Sequence, residues 1–72
     1  MSTECRAKLR GRIIEKFGTI QNFADYQGIS RGKQFIGNVL NGKAVLTFND
    51  IEEWIYALQI EPDEIYFYFF AH

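Results

Sequence analysis

Apolar residues recur along this chain at helical intervals, and the intervals are broken by glycine-containing turns. Cys5, Leu9, Ile13, Ile14 and Phe17 form one stripe, which predicts a helix from Thr3 to Phe17. Gly11 lowers the propensity of that helix and would let another helix pack closely, and Gly18 is placed to end it. Thr19 then suits the N-cap of a second helix, which carries Ile20, Phe23 and Ala24, with Tyr26 as a further candidate, before Gly28 stops it. A third helix is expected within Ser30 to Leu40, its apolar face supplied by Phe35, Ile36, Val39 and Leu40. Asn41-Gly42 signals a turn, and Val45, Leu46 and Phe48 are expected to bury the connection that follows.

The clearest period in the chain comes next. Ile51, Trp54, Ile55 and Leu58 stand at i, i+3, i+4 and i+7, which predicts a fourth helix with Trp54 at the centre of its buried face. Its start is expected at Thr47 or Asn49, and Asn49 with Glu52 has the spacing of a capping box. Pro62 suits the first turn of a short fifth helix over the segment PDEIY. The tail Tyr66-Phe67-Tyr68-Phe69-Phe70 is either a last helical turn or a short extended segment. At least half of it is expected to be buried. The pattern describes one all-α domain over residues 1–72, with no repeat and no low-complexity stretch.

Residues 19–43 have the layout of a helix-turn-helix, a motif whose second helix can enter the DNA major groove. With the segments KLRGRIIEKFGT, FA, GIS, LNGK, LTFNDIEEWIYALQI and EPDEIYFYFF, the chain resembles, over nearly its whole length, the small helix-turn-helix regulators of temperate phages of Gram-positive bacteria. These are the Cro/repressor-like proteins of the lysis–lysogeny switch. The resemblance implies a compact five-helix, lambda-repressor-like fold and a role in transcription regulation. Within that group the chain is most similar to the lytic-side modulator of repression, an antirepressor that binds the phage lysogeny repressor itself.

Three departures from the family pattern favour that partner over a direct reader of operator DNA. Gly28 and Asn41 are about two residues further apart than the family's usual spacing, which places an insertion in Ser30–Gln34, at the end of the recognition helix that normally contacts bases. With that insertion, Ile36 and Val39 take the two buried positions of the third helix. Gly32 and Gly37 weaken a helix that must be rigid to read bases. Ile20 occupies the slot where family members often place a phosphate-contacting glutamine, and Gln21 is displaced by one position.

The candidate partner- or DNA-binding residues are therefore Ile20, Gln21, Ser30, Arg31, Lys33, Gln34, Phe35 and Asn38. Arg, Gln and Asn are the usual bidentate readers of base edges, but the same side chains also make an ordinary solvated face. Phe35 is either an exposed anchor for a protein partner or a core residue beside Ile36 and Val39. The expected partners are the lysogeny repressor and operator DNA, the latter alone or together with the repressor. The alternative function is a Cro-like dimer bound across two operator half-sites.

Charge and composition narrow the reading further. The net charge is −1, but all eight Lys and Arg lie in residues 1–43 against three acids, and residues 44–72 hold six acids and no Lys or Arg. Such a balance is poor for a dedicated DNA binder, because phosphate neutralisation supplies most non-specific affinity. The basic residues of the first helix, Arg6, Lys8, Arg10, Arg12 and Lys16, read either as solvated charges or as contacts to DNA backbone or an acidic partner. With 47% apolar and 17% aromatic residues, a packed core is expected, with aromatic surface left over for a partner. The single cysteine, Cys5, suits a reducing compartment and small-residue packing. No membrane span or signal peptide is read, so a cytoplasmic location in the bacterial host is expected. Nothing points to an enzyme, a metal, a cofactor or a small-molecule substrate. His72 stands at the terminus, where disorder is the expectation.

Overall fold

The first, second and fourth helices each begin on a side chain that accepts from a free backbone N–H group, and the computed structural model, which describes residues 1–71, shows how the five are chained. Helix α1 spans Thr3–Phe17. The Ser2 hydroxyl accepts from the Cys5 N–H at 3.1 Å, and Gly18, at φ 83°, donates its N–H back to the Ile14 carbonyl at 2.9 Å. Its buried stripe is Cys5, Leu9 and Ile13, one residue per turn. Ile14, one position further round the helix, faces solvent, and nothing packs against Gly11. The close helix approach expected at Gly11 therefore does not occur among the described residues.

Helix α2, Ile20–Asp25, starts on Thr19, whose hydroxyl accepts from the Asn22 N–H at 3.0 Å. It ends three residues before Gly28, earlier than expected. Tyr26 turns to extended backbone, and the Ile29 N–H donates to the Tyr26 carbonyl at 2.9 Å, closing a turn that drives Ile29 into the core. Gly28 does not terminate the helix. A Cβ there would meet the Tyr26 ring at 3.0 Å, so a side chain at this position would press on that ring.

Helix α3, Lys33–Leu40, buries Ile36, Val39 and Leu40. Gly32 is its N-cap, outside the helix, and supplies no side-chain cap. Of the two glycines expected to weaken this helix, only Gly37 lies within it. Gly42, at φ 79°, makes the turn after α3, where its N–H donates to the Val39 carbonyl at 3.1 Å. The following connection is not buried as expected. Leu46 is in the core, but Val45 and Phe48 are 84% and 80% exposed: Val45 points away from its buried neighbour, and Phe48 is the first residue of α4, on a helix face turned away from Trp54.

Helix α4, Phe48–Leu58, begins on Thr47. The capping box is Thr47 with Asp50, not Asn49 with Glu52. The Thr47 hydroxyl accepts from the Asp50 N–H at 3.1 Å, and the Asp50 carboxylate accepts from the Thr47 N–H at 3.0 Å. Trp54 and Leu58 are fully buried, with the Phe23 ring edge-on to Trp54 at 5.1 Å. Pro62–Glu64 form one 3₁₀ turn that leads into α5, Ile65–Phe69. The aromatic tail is thus helical. Tyr68 and Phe69 are buried and Tyr66, Phe67 and Phe70 are 55%, 54% and 43% exposed, so more than half of the tail's surface is out of water, as expected. The Cys5 sulfur lies 3.2 Å from both the Phe67 and Ala71 carbonyls, which fixes α5 on α1. The expectation for His72 falls outside the described residues.

One core joins all five helices. Leu9 and Ile13 of α1, Phe23 of α2, Ile36 and Val39 of α3, Trp54 and Leu58 of α4, and Tyr68 and Phe69 of α5 belong to a single cluster. The fold is all-α, with no strand among the described residues.

Candidate interaction surface

The connection between α2 and α3 is residues 26–32, about twice the three or four residues of an ordinary helix-turn-helix turn. Its extra length carries Ser30 and Arg31 to the N-terminus of α4. The Arg31 guanidinium meets Asp50 with two hydrogen bonds, Nε to Oδ1 at 3.0 Å and Nη2 to Oδ2 at 3.2 Å. The same guanidinium lies 4.2 Å from the centre of the Phe35 ring. Ser30 donates both its backbone N–H and its hydroxyl to one Glu53 oxygen, each at 3.0 Å.

Asp50 is the buried centre of this cluster. It closes the α4 capping box with one oxygen and pairs with Arg31 through both. Burial pushes its carboxyl pKa up. The hydrogen bonds from Arg31 and Thr47 and the nearby positive charge outweigh burial and hold it below the ordinary carboxylate value. The Arg31 pKa is raised in turn, chiefly by its hydrogen bonds to Asp50.

The eight candidate residues therefore do not form one free face. Ser30, Arg31 and Phe35 are gathered against α4, with Phe35 half-buried and Arg31 engaged on two sides. Ile20 is half-buried and leans on the core, so packing accounts for part of its apolar character. Gln21 donates to Asp25 one turn along α2 at 2.8 Å. Lys33 and Gln34 at the start of α3 are exposed, and Asn38 one turn on is half-buried. The three side chains have no hydrogen bond to the rest of the described chain.

The basic residues of α1 are also largely spoken for. Arg12 donates to the Leu58 and Gln59 carbonyls at 2.9 and 3.1 Å, and Lys16 donates to the Gln59 side chain at 3.1 Å. These two cations cover the C-terminal end of α4, where the helix dipole is negative. Arg10 donates to Asn41 at 3.2 Å, and Arg6 donates to the Met1 carbonyl and the Thr3 hydroxyl. The Lys8 ammonium stands 5.5 Å from the Phe67 ring centre and 5.1 Å from that of Tyr68.

Asp50, Glu53 and Thr47 were not among the candidate residues. The Thr47–Asp50 spacing was legible as a capping box, but a competing match two residues later at Asn49–Glu52 has the same form. The Arg31–Asp50 pair, nineteen residues apart, has no local signal at all.

The fold and this cluster define a small all-α domain that locks the connection between its second and third helices to the start of its fourth through a buried carboxylate. The chain belongs to the family described as protein of unknown function (DUF739), which it matches over residues 1–72. No curated protein and no solved structure matches it. Among the described residues no helix is long and apolar enough to cross a membrane.

Proposed function

We propose that this chain is a phage lysis–lysogeny regulator that binds and inactivates its cognate lysogeny repressor, acting in the host cytoplasm and without enzymatic activity. The observation that carries the reading is the commitment of Arg31. The one arginine at the front of the would-be recognition helix is spent on Asp50 and Phe35, and behind it α3 opens on an uncapped glycine. A base reader needs that arginine free and that helix end rigid. The helix-turn-helix layout is thereby used as a protein-docking scaffold, with Lys33, Gln34 and Asn38 as its outward side chains.

The second reading, a Cro-like operator binder, draws on those same three side chains, which retain their full hydrogen-bonding capacity. The two separate in a titration of the purified chain against the lysogeny repressor of the same phage. Direct binding, with release of the repressor from labelled operator, is the expected result. Failure to bind repressor, together with nanomolar sequence-selective binding of operator by this chain alone, would replace the first reading by the second.

A further inference from the structure

Tyr26 and the outer face of α4 enclose an open cleft of about 340 Å³, lined by Tyr26, Gly28, Glu52, Glu53, Tyr56 and Ala57. Glu52 and Tyr56 stand one turn apart on α4, and Glu53 and Ala57 stand one turn apart beside them. The Tyr26 ring is braced edge-on by Phe17 at 5.3 Å and lies against Gly28, where a Cβ would press on it. Both tyrosines are exposed, Tyr56 almost completely. Glu52 makes no hydrogen bond or ion pair among the described residues, and Glu53 spends only one oxygen, on Ser30. No Lys or Arg lines the cleft. Arg31, whose charge reaches Glu53, is itself held by Asp50.

We infer that this cleft receives an arginine side chain from the DNA-reading face of the protein partner. The inference rests on the repressor reading for the partner's identity, and it adds a contact surface that contains none of Lys33, Gln34 and Asn38. A guanidinium is the one side-chain group that uses every wall. It is planar and weakly hydrated, it is attracted to the faces of tyrosine rings, and it donates in pairs to a carboxylate. An aliphatic side chain would leave Glu52 and Glu53 unanswered, and a metal ion would leave the rings idle. Phosphate would be repelled by both carboxylates, so the cleft selects a protein over a nucleic acid. Its volume is at the small end of the roughly 300–1,000 Å³ of ligand pockets, which suits one long side chain.

The charge complement is on the partner by necessity. A face that binds operator carries Lys and Arg, because they neutralise phosphate and read base edges. An arginine seated between Tyr26 and Tyr56 is no longer available to DNA. Binding in the cleft and loss of operator are then one event.

Calorimetric titration of the full chain with the lysogeny repressor of the same phage tests this. Glu52→Lys and Tyr56→Ala change exposed side chains outside the core, so their circular-dichroism melts should stay close to wild type. Each should weaken repressor binding about tenfold or more, and each should weaken release of repressor from labelled operator in step. Glu64→Lys makes the same charge change at an exposed position outside the cleft and should alter affinity less than about threefold. Wild-type binding that both cleft variants retain within about twofold overturns the inference and leaves the repressor reading standing. Equal losses in Glu52→Lys and Glu64→Lys overturn it too, since bulk charge rather than the cleft would then be at work. No binding of repressor by the wild-type chain overturns both.

Discussion

At the scale of single residues, Asp50 is the costliest group in the molecule to misplace. It is a carboxylate out of water that stays charged because Arg31 and Thr47 hold it. Its lowered pKa has a definite consequence for stability. The contribution is complete above the unfolded carboxylate value of about 3.9 and is lost as pH falls through the lower folded value. Arg31→Ala is therefore expected to destabilise the fold at neutral pH, and the gap between variant and wild type should narrow in acid, where a protonated Asp50 has no need of the cation. Urea denaturation at about pH 7 and about pH 3 measures both differences. A gap that is the same at both would show that Arg31 stabilises through Phe35 rather than through Asp50.

Trp54 is the complementary case. It is fully buried at the centre of the core, yet its indole N–H has no partner among the described residues. Trp54→Ala should cost about 3–5 kcal/mol, comparable with the whole stability of so small a domain. Trp54→Phe keeps the edge-on contact with Phe23 and discards an unanswered donor. It should cost under about 2 kcal/mol. Thermal melts of the two variants check the pair, and equal losses would mean that the indole N–H is satisfied after all.

At the scale of elements, the sequence was readable wherever a helix buries one face. The bounds of α1, the Thr19 cap, and the burial of Ile36 and Val39 all followed from periodicity and capping chemistry, because those are local. What periodicity missed were places where a distant residue decides. Helix α2 stops early because Ile29 must reach the core, and no feature of residues 20–28 records that. Val45 and Phe48 looked like core by composition, but the Thr47–Asp50 capping box turns Asp50 inward and leaves Phe48, at the first position of α4, outside. Of the candidate site, Lys33, Gln34 and Asn38 were placed on an available helix face, whereas Arg31 was claimed by a carboxylate nineteen residues away.

Helix α3 has a glycine that its own packing does not require. An added Cβ at Gly37 would meet nothing within 4 Å, and its backbone is ordinary helix. Gly37→Ala should therefore stabilise the domain by about 1 kcal/mol, which is roughly a 4–8 °C rise in melting temperature for a chain of this size. If the glycine is there to let a partner's backbone come close, the same variant should be more stable and bind worse. A melt and a repressor titration on one sample separate folding from docking.

At the scale of the whole molecule, the chain's positive charge stays at the surface but is largely engaged by the chain itself. Residues 1–43 carry all eight Lys and Arg, but Arg12 and Lys16 cover the end of α4, Arg10 holds the α3 turn, Arg31 holds Asp50, and Lys8 lies over the α5 rings. Lys33 and Lys43 are exposed, and neither makes an ion pair or side-chain hydrogen bond among the described residues. The salt dependence of DNA binding counts the cations that reach phosphate, with a slope near −0.9 for each on a log–log plot. Two such lysines predict a slope no steeper than about −2 and an affinity in the non-specific range, roughly 10⁻⁴–10⁻⁶ M at physiological salt. Fluorescence anisotropy of a labelled duplex across a salt series reads the slope directly. A slope of about −6 or steeper would require the α1 cations to leave their caps and face phosphate, and with them the helix ends they cover would come open.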